Sequence, residues 1–207
     1  MEWKYYDALV NSKFRNELEQ LRGKHLFNIA EVRLLTFQPE IIADLQKENE
    51  LSSQYTKLTA SAKIMFEGKE YNMSSLSPLR NSQNRETRKG ASKAKWKFFG
   101  ENAAEFDRIY DELVQVRHKM AVTLGFENYV ALGYKRMLRT DYDAKMVANY
   151  RQQVLDVVVP VAKKLKERQA KRIDISDFKY YDSSLTFKTG NPTPKGEPNW
   201  IVDNGKK

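Results

Sequence analysis

The chain contains no cysteine and only two histidines in 207 residues. The first absence excludes disulfides, thiolate metal sites and cysteine nucleophiles, and suits a protein of the cytoplasm. The second is as restrictive. A zinc site of the H-E-x-x-H kind needs two imidazoles one helical turn apart and a glutamate beside them as general base. His25 and His118 stand 93 positions apart, and four residues beyond them lie Ile29 and Val122. No such site can be assembled from this sequence, and no catalytic, cofactor-binding or metal-binding residue is expected in it. Long apolar runs are also missing. The longest, residues 157–162, falls far short of the roughly 20 residues of a membrane span. Met1-Glu2-Trp3-Lys4 has no apolar core, so no secretion signal is expected.

What is present belongs to a folded protein: 41% of residues are apolar and 12% aromatic. The formal charge is +9, with basic residues clustered in 85–97 and 163–172. Such an excess raises the question of nucleic acid. Both clusters are interleaved with Ala, Trp, Leu or Glu at helical spacing, and no nucleic-acid motif accompanies them. They are read as solvated helix faces, with a free-standing basic module that binds nucleic acid or an acidic partner as the alternative.

The periodicity predicts a mainly α fold, an array of long helices with one β-hairpin near 63–73. Ser12 is expected to cap a helix bearing Phe14, Leu18 and Leu21 and ending near Gly23. A second helix carries Leu26, Ile29, Ala30 and Arg33. A long one starts at Pro39, favourable at a first helical position, with Ile41, Ile42, Leu45, Tyr55, Leu58 and Ala62 on its apolar side. Glu48, Asn49 and Glu50 weaken that stripe. In 63–73 the alternation of Ile64 with Phe66 and of Tyr71 with Met73 predicts two strands, with Gly68-Lys69 as the turn. Asn84 caps a helix over 85–99. The next carries Phe106, Ile109, Leu113, Val116 and Met120 and stops at Gly125. A short helix holds Tyr129, Leu132 and Tyr134. Thr140 is placed to begin a helix of roughly 30 residues, roughly 45 Å long, distorted near Pro160, which cannot donate to the carbonyl of Asp156. Residues 1–172 thus form a helical region and 173–207 a Pro/Gly-rich connector, in which Trp200-Ile201-Val202 suggests one more helix.

Other polar groups invite chemistry but fit structural roles better. Asp141/Asp143 and Asp111/Glu112 could act as acid–base pairs, yet the first sits at a helix start, where negative charge is stabilised, and the second on a charged face. Gly190 and Gly196 have the wrong spacing for a phosphate-binding loop, with Glu197 where a lysine belongs. Phe98/Phe99 and Tyr180/Tyr181 are read as core or interface.

Leu132-Gly133-Tyr134-Lys135-Arg136-Met137-Leu138-Arg139-Thr140-Asp141-Tyr142-Asp143 resembles the L-G-Y-x-R-M-x-R-T-D-Y-D stretch of the oligoendopeptidase F family, cytosolic zinc peptidases related to thimet oligopeptidase. The resemblance extends to Tyr55-Thr56-Lys57-Leu58, Ala60-Ser61-Ala62-Lys63-Ile64, Phe66-Glu67-Gly68, Val147-Ala148-Asn149-Tyr150-Arg151, Lys179-Tyr180-Tyr181-Asp182 and Gly190-Asn191-Pro192-Thr193-Pro194-Lys195-Gly196, in the same order. It implies a segment of a helical metallopeptidase shell around a deep channel that admits short peptides. In that family the zinc-binding helix, the third ligand and the substrate-orienting His and Tyr belong to a later catalytic half, and no position here matches them. The resemblance therefore implies a non-catalytic wall segment. Its partner is the missing catalytic half, zinc is expected only in the intact parent protein, and residues 173–207 lead toward that half.

Overall fold

The computed structural model describes residues 2–207. In chain order it comprises α1 (Glu2–Val10), α2 (Arg15–Arg22), α3 (His25–Leu35), a 3-10 turn (Pro39–Ile41) running into α4 (Ile42–Ala60), β1 (Ile64–Phe66), β2 (Lys69–Tyr71), α5 (Ser77–Arg80), α6 (Arg85–Glu101), α7 (Ala103–Thr123), α8 (Tyr129–Arg136), α9 (Ala144–Gln153), a π turn (Val154–Val158), α10 (Val159–Arg172), a 3-10 turn (Tyr180–Asp182) and α11 (Pro198–Gly205). The fold is mainly helical with one antiparallel hairpin, as the periodicity predicts. The chain divides into two compact units, Met1–Thr59 with Asn102–Val157, and Ala60–Glu101 with Val158–Lys207.

In the first unit α1 packs on α3, α3 on α8, and α8 on α7. Ile41, Met120, Ala121 and Leu132 form one buried cluster, closed by Leu45, Leu124, Phe126 and Tyr129. Leu51, Ile109 and Val116 form another, flanked by Leu58 and Leu113. Each such aliphatic side chain removed from water contributes about 1.5–3 kcal/mol before entropy is counted. The α7 stripe of Ile109, Val116 and Met120 is buried as its spacing predicts. Gly125 follows with φ +80°, a value that favours glycine.

In the second unit the hairpin lies on α6. Ala62, Ile64, Leu76 and Ala91 form its buried centre, with Phe66, Tyr71 and Phe98 around them. Phe66 approaches α6 so closely that a Cβ at Gly90 would stand 2.7 Å from its ring. Glycine in mid-helix costs about 1 kcal/mol relative to alanine; here it makes room for the aromatic ring.

The structure corrects several local expectations. Ser12 caps no helix: its hydroxyl accepts from the N–H of Phe14, α2 begins at Arg15, and Phe14 and Leu21 are exposed. A helix, α1, precedes it where none was expected. The buried face of α3 is Phe27, Ala30 and Val32, with Leu26 exposed. The hairpin turn is Glu67-Gly68, because Phe66 pairs with Lys69, and both turn residues have positive φ (49° and 76°). That pattern is the type I′ geometry, whose twist matches the strands. Asp143 is the N-cap of α9, its carboxylate accepting the N–H of Met146 at 2.8 Å, while Thr140 donates to Asp141. The distortion expected at Pro160 takes the form of the π turn just before it, a place where unsatisfied helical carbonyls are commonly absorbed.

Candidate functional site

The buried charged groups among the described residues sit in two ion-pair clusters, one in each unit. In the first, positions 41, 44, 48 and 51 share a face of α4 and its leading turn, so Asp44 and Glu48 are buried alongside Ile41 and Leu51. Glu48 accepts from Arg117 of α7 at 2.7 Å and from both terminal nitrogens of Arg136 of α8, at 2.7 and 3.1 Å. Arg136 also donates to the Tyr129 hydroxyl at 3.2 Å. Asp44 accepts from Lys119 at 2.7 Å. Burial pushes the Glu48 carboxyl up, but the bonds from Arg136 and Arg117 outweigh it and hold the group below its ordinary value. Of the residues that interrupt the α4 stripe, Glu48 is therefore part of the packed face, while Asn49 and Glu50 are exposed.

In the second unit Asp182, fully buried, receives Arg88 at 2.7 Å, Arg85 at 2.9 Å and the backbone N–H of Lys179 at 3.0 Å. Burial again pushes this carboxyl up; hydrogen bonds from Arg85, Lys179 and Arg88 overcome it and bring the pKa down to about 2. Arg88 also donates to the carbonyls of Ser82 and Gln83. The basic stretch 85–97 is thus not wholly a solvated face, since Arg88 points into the protein. Its place at i, with buried Ala91 and Ser92 at i+3 and i+4, was the available signal.

The other polar candidates stand apart from these clusters. His25 and His118, on α3 and α7, are both exposed. Among the described residues no group of three His, Asp or Glu side chains is arranged to hold a metal ion. The described residues therefore do not fit a zinc site. Asp141 is exposed, and Glu112 is occupied by Arg108 and Lys47. Gln83 donates to the carbonyl of Thr189, and Asn191 bridges Ser184 and Thr186, so the start of the 190–196 loop is pinned. An open groove of about 430 Å³ lies in the first unit, lined by Arg139, Tyr142, Met146, Val147 and Tyr150.

The family model of the Peptidase M3 N-terminal domain matches residues 1–37. Three solved structures resemble the chain throughout. An X-ray structure described as oligoendopeptidase F is 55% identical, with a TM-score of 0.92, covering 99% of this chain and 36% of the other. A second, described as an oligoendopeptidase F from Bacillus anthracis str. Ames, is 57% identical with a TM-score of 0.89, covering 99% and 38%. PZ peptidase A with an inhibitor is 54% identical with a TM-score of 0.92, covering 99% and 36%. No curated protein matches. The chain is an amino-terminal portion of an oligoendopeptidase F-like protein. It spans little more than a third of the length of these solved chains.

In this oligoendopeptidase F-like chain, the stretches that carry the family resemblance hold the fold together. Within 132–143, α8 ends with Leu138 at φ +54° and the Arg139 N–H returning to the Tyr134 carbonyl, a Schellman stop built without glycine. Arg136 of that stretch binds Glu48, Asp143 caps α9, and the Arg139 guanidinium lies over the rings of Tyr134 and Tyr142, at 4.5 and 5.6 Å. The stretch 179–182 supplies Asp182.

Proposed function

We propose that this chain is the non-catalytic front of a zinc oligoendopeptidase, supplying scaffold and channel wall for a metal centre carried by later sequence. One observation carries the reading: near-complete similarity to solved peptidases of almost three times the length, with no convergent metal donors among the described residues. The substrates of the intact protein would be short peptides, and its location the cytoplasm. In that protein zinc would activate water for attack on a peptide carbonyl, with every ligand drawn from outside these residues.

The surface area supports a role as part of a larger body. The chain exposes 15058 Å². A compact monomer of 24.2 kDa exposes about 10,000 Å², and even two separate globules of half that mass about 12,000 Å². Large apolar side chains are exposed in both units, including Tyr142, Met146 and Tyr150 in the first and Val159, Val161 and Trp200 in the second. Patches beyond a few hundred Å² generally mark contact surfaces.

The purified chain is expected to hydrolyse no peptide and to retain no stoichiometric zinc after gel filtration. Chelator-sensitive cleavage of short peptides by a homogeneous preparation would overturn the proposal.

A further inference from the structure

We propose that the exposed side of α10 is a docking surface for the carboxy-terminal part of an oligoendopeptidase F polypeptide, with Val161, Leu165 and the N-cap Val158 as its apolar centre and Lys164, Arg168 and Lys171 as its cationic edge. The inference rests on the functional reading above and adds to it the surface and the chemistry of the contact.

The first support is the isolation of the helix. Every residue from 159 to 168 is exposed, and the first buried position is Gln169. Val158, Val161 and Leu165, spaced i, i+3 and i+7 on one face, stand 54%, 52% and 56% exposed. Helices in proteins draw most of their stability from a buried face, and an isolated helix this short is marginal in water. Ten consecutive exposed residues, aliphatic ones among them, form a surface awaiting a partner.

The second is charge. The unit containing α10 holds twenty Lys and Arg against ten Asp and Glu, whereas the other unit holds sixteen against seventeen. The +9 excess therefore belongs wholly to one unit. Within α10, Lys163, Lys164, Arg168 and Lys171 make no ion pair or hydrogen bond through their side chains among the described residues, and Glu167 is the lone acid there. A partner with carboxylates around an apolar patch satisfies both features.

The third is the length of the relatives. The solved chains that match carry almost two-thirds of their length outside the matched region, enough to supply such a surface. A second copy of this chain fits poorly, because a two-fold pairing of α10 with itself sets cation against cation. Nucleic acid would neutralise the lysines but leave the aliphatic strip in water.

The test uses the 207-residue chain and, as probe, the remaining carboxy-terminal portion of the 55%-identical oligoendopeptidase F, produced separately. Association is followed by sedimentation and calorimetry at low and moderate salt. The wild-type chain is expected to bind, more weakly as salt rises. Val161→Ser with Leu165→Ser is expected to reduce affinity about tenfold or more. Lys164→Glu with Lys171→Glu should also weaken binding and remove most of its salt dependence. Lys69→Glu, an exposed charge reversal in β2 of the same unit, should change it little. Far-UV circular dichroism checks that each variant is folded. Full binding by both α10 variants would overturn the docking surface while leaving the parent reading intact. No binding by any form, with the probe folded, would overturn both. Self-association abolished by the same substitutions would assign the surface to a second copy. Binding to a DNA duplex, abolished by the lysine reversals and untouched by the serine pair, would assign it to nucleic acid. Either result would overturn the proposal.

Discussion

Arg88 and Asp182 lie 94 positions apart in the chain and 2.7 Å apart in the structure, with 1% and 0% of their side chains exposed. A charge pair this buried is costly to form, yet removing one partner is costlier, since the other is left uncompensated. Arg88 has two further bonds to carbonyls, so the guanidinium ties the loop before α6 to the 3-10 turn at 180–182.

Asp182→Asn is expected to destabilise the second unit by about 3 kcal/mol or more. Urea unfolding followed by the fluorescence of Trp96 and Trp200 would measure it. A loss below about 1 kcal/mol would show that solvent reaches Arg88 in solution.

The same pair sets a pH dependence. The Asp182 pKa is lowered in the fold from an ordinary 3.8 to about 2. A depressed carboxyl adds stability that is fully present above its unfolded pKa and is lost as pH falls through the folded value. The expected contribution is about 2 kcal/mol above pH ~4.5, declining toward pH ~2. Glu48 is shifted in the same direction and adds to the decline. Acid titration of the wild type and of Asp182→Asn should give stability curves that converge toward pH 2; parallel curves would refute the assignment.

Glu48→Ala leaves Arg117 and Arg136 without their shared acceptor and opens a void beside Leu51. A loss of about 3 kcal/mol is expected in the first unit, read as a lower midpoint in thermal denaturation by near-UV circular dichroism. Arg136→Met alone should cost less than Glu48→Ala, because Arg117 still satisfies the carboxylate.

Gly90→Val is expected to cost about 1–3 kcal/mol, since its first added carbon meets the ring of Phe66. Combining it with Phe66→Ala should cost less than the sum of the single changes, a non-additivity that a double-mutant cycle would reveal.

Several elements were legible from local pattern. Asn84 accepts the Thr87 N–H and Gly125 ends α7, both consequences of chemistry within four residues. The 64–71 alternation named the strands but misplaced the turn, because Glu67 accepts a left-handed φ that residue type alone disfavours. The helix that begins the chain was missed because Trp3, Tyr5 and Phe14 give it and its neighbour no clean apolar face, and Trp3, Tyr5 and Phe14 are in fact exposed.

The sequence by itself determined the helical class, most helix ends, the hairpin and the kinship with oligoendopeptidase F, since these depend on spacing and on residue types read over short windows. Only the tertiary structure decided which charges turn inward. Glu48 interrupts an apolar stripe and Arg88 sits in a basic run, so each looks like surface until its partner arrives from far along the chain. Burial of a charge depends on that partner's position in space, and no local pattern encodes a meeting between residues 88 and 182.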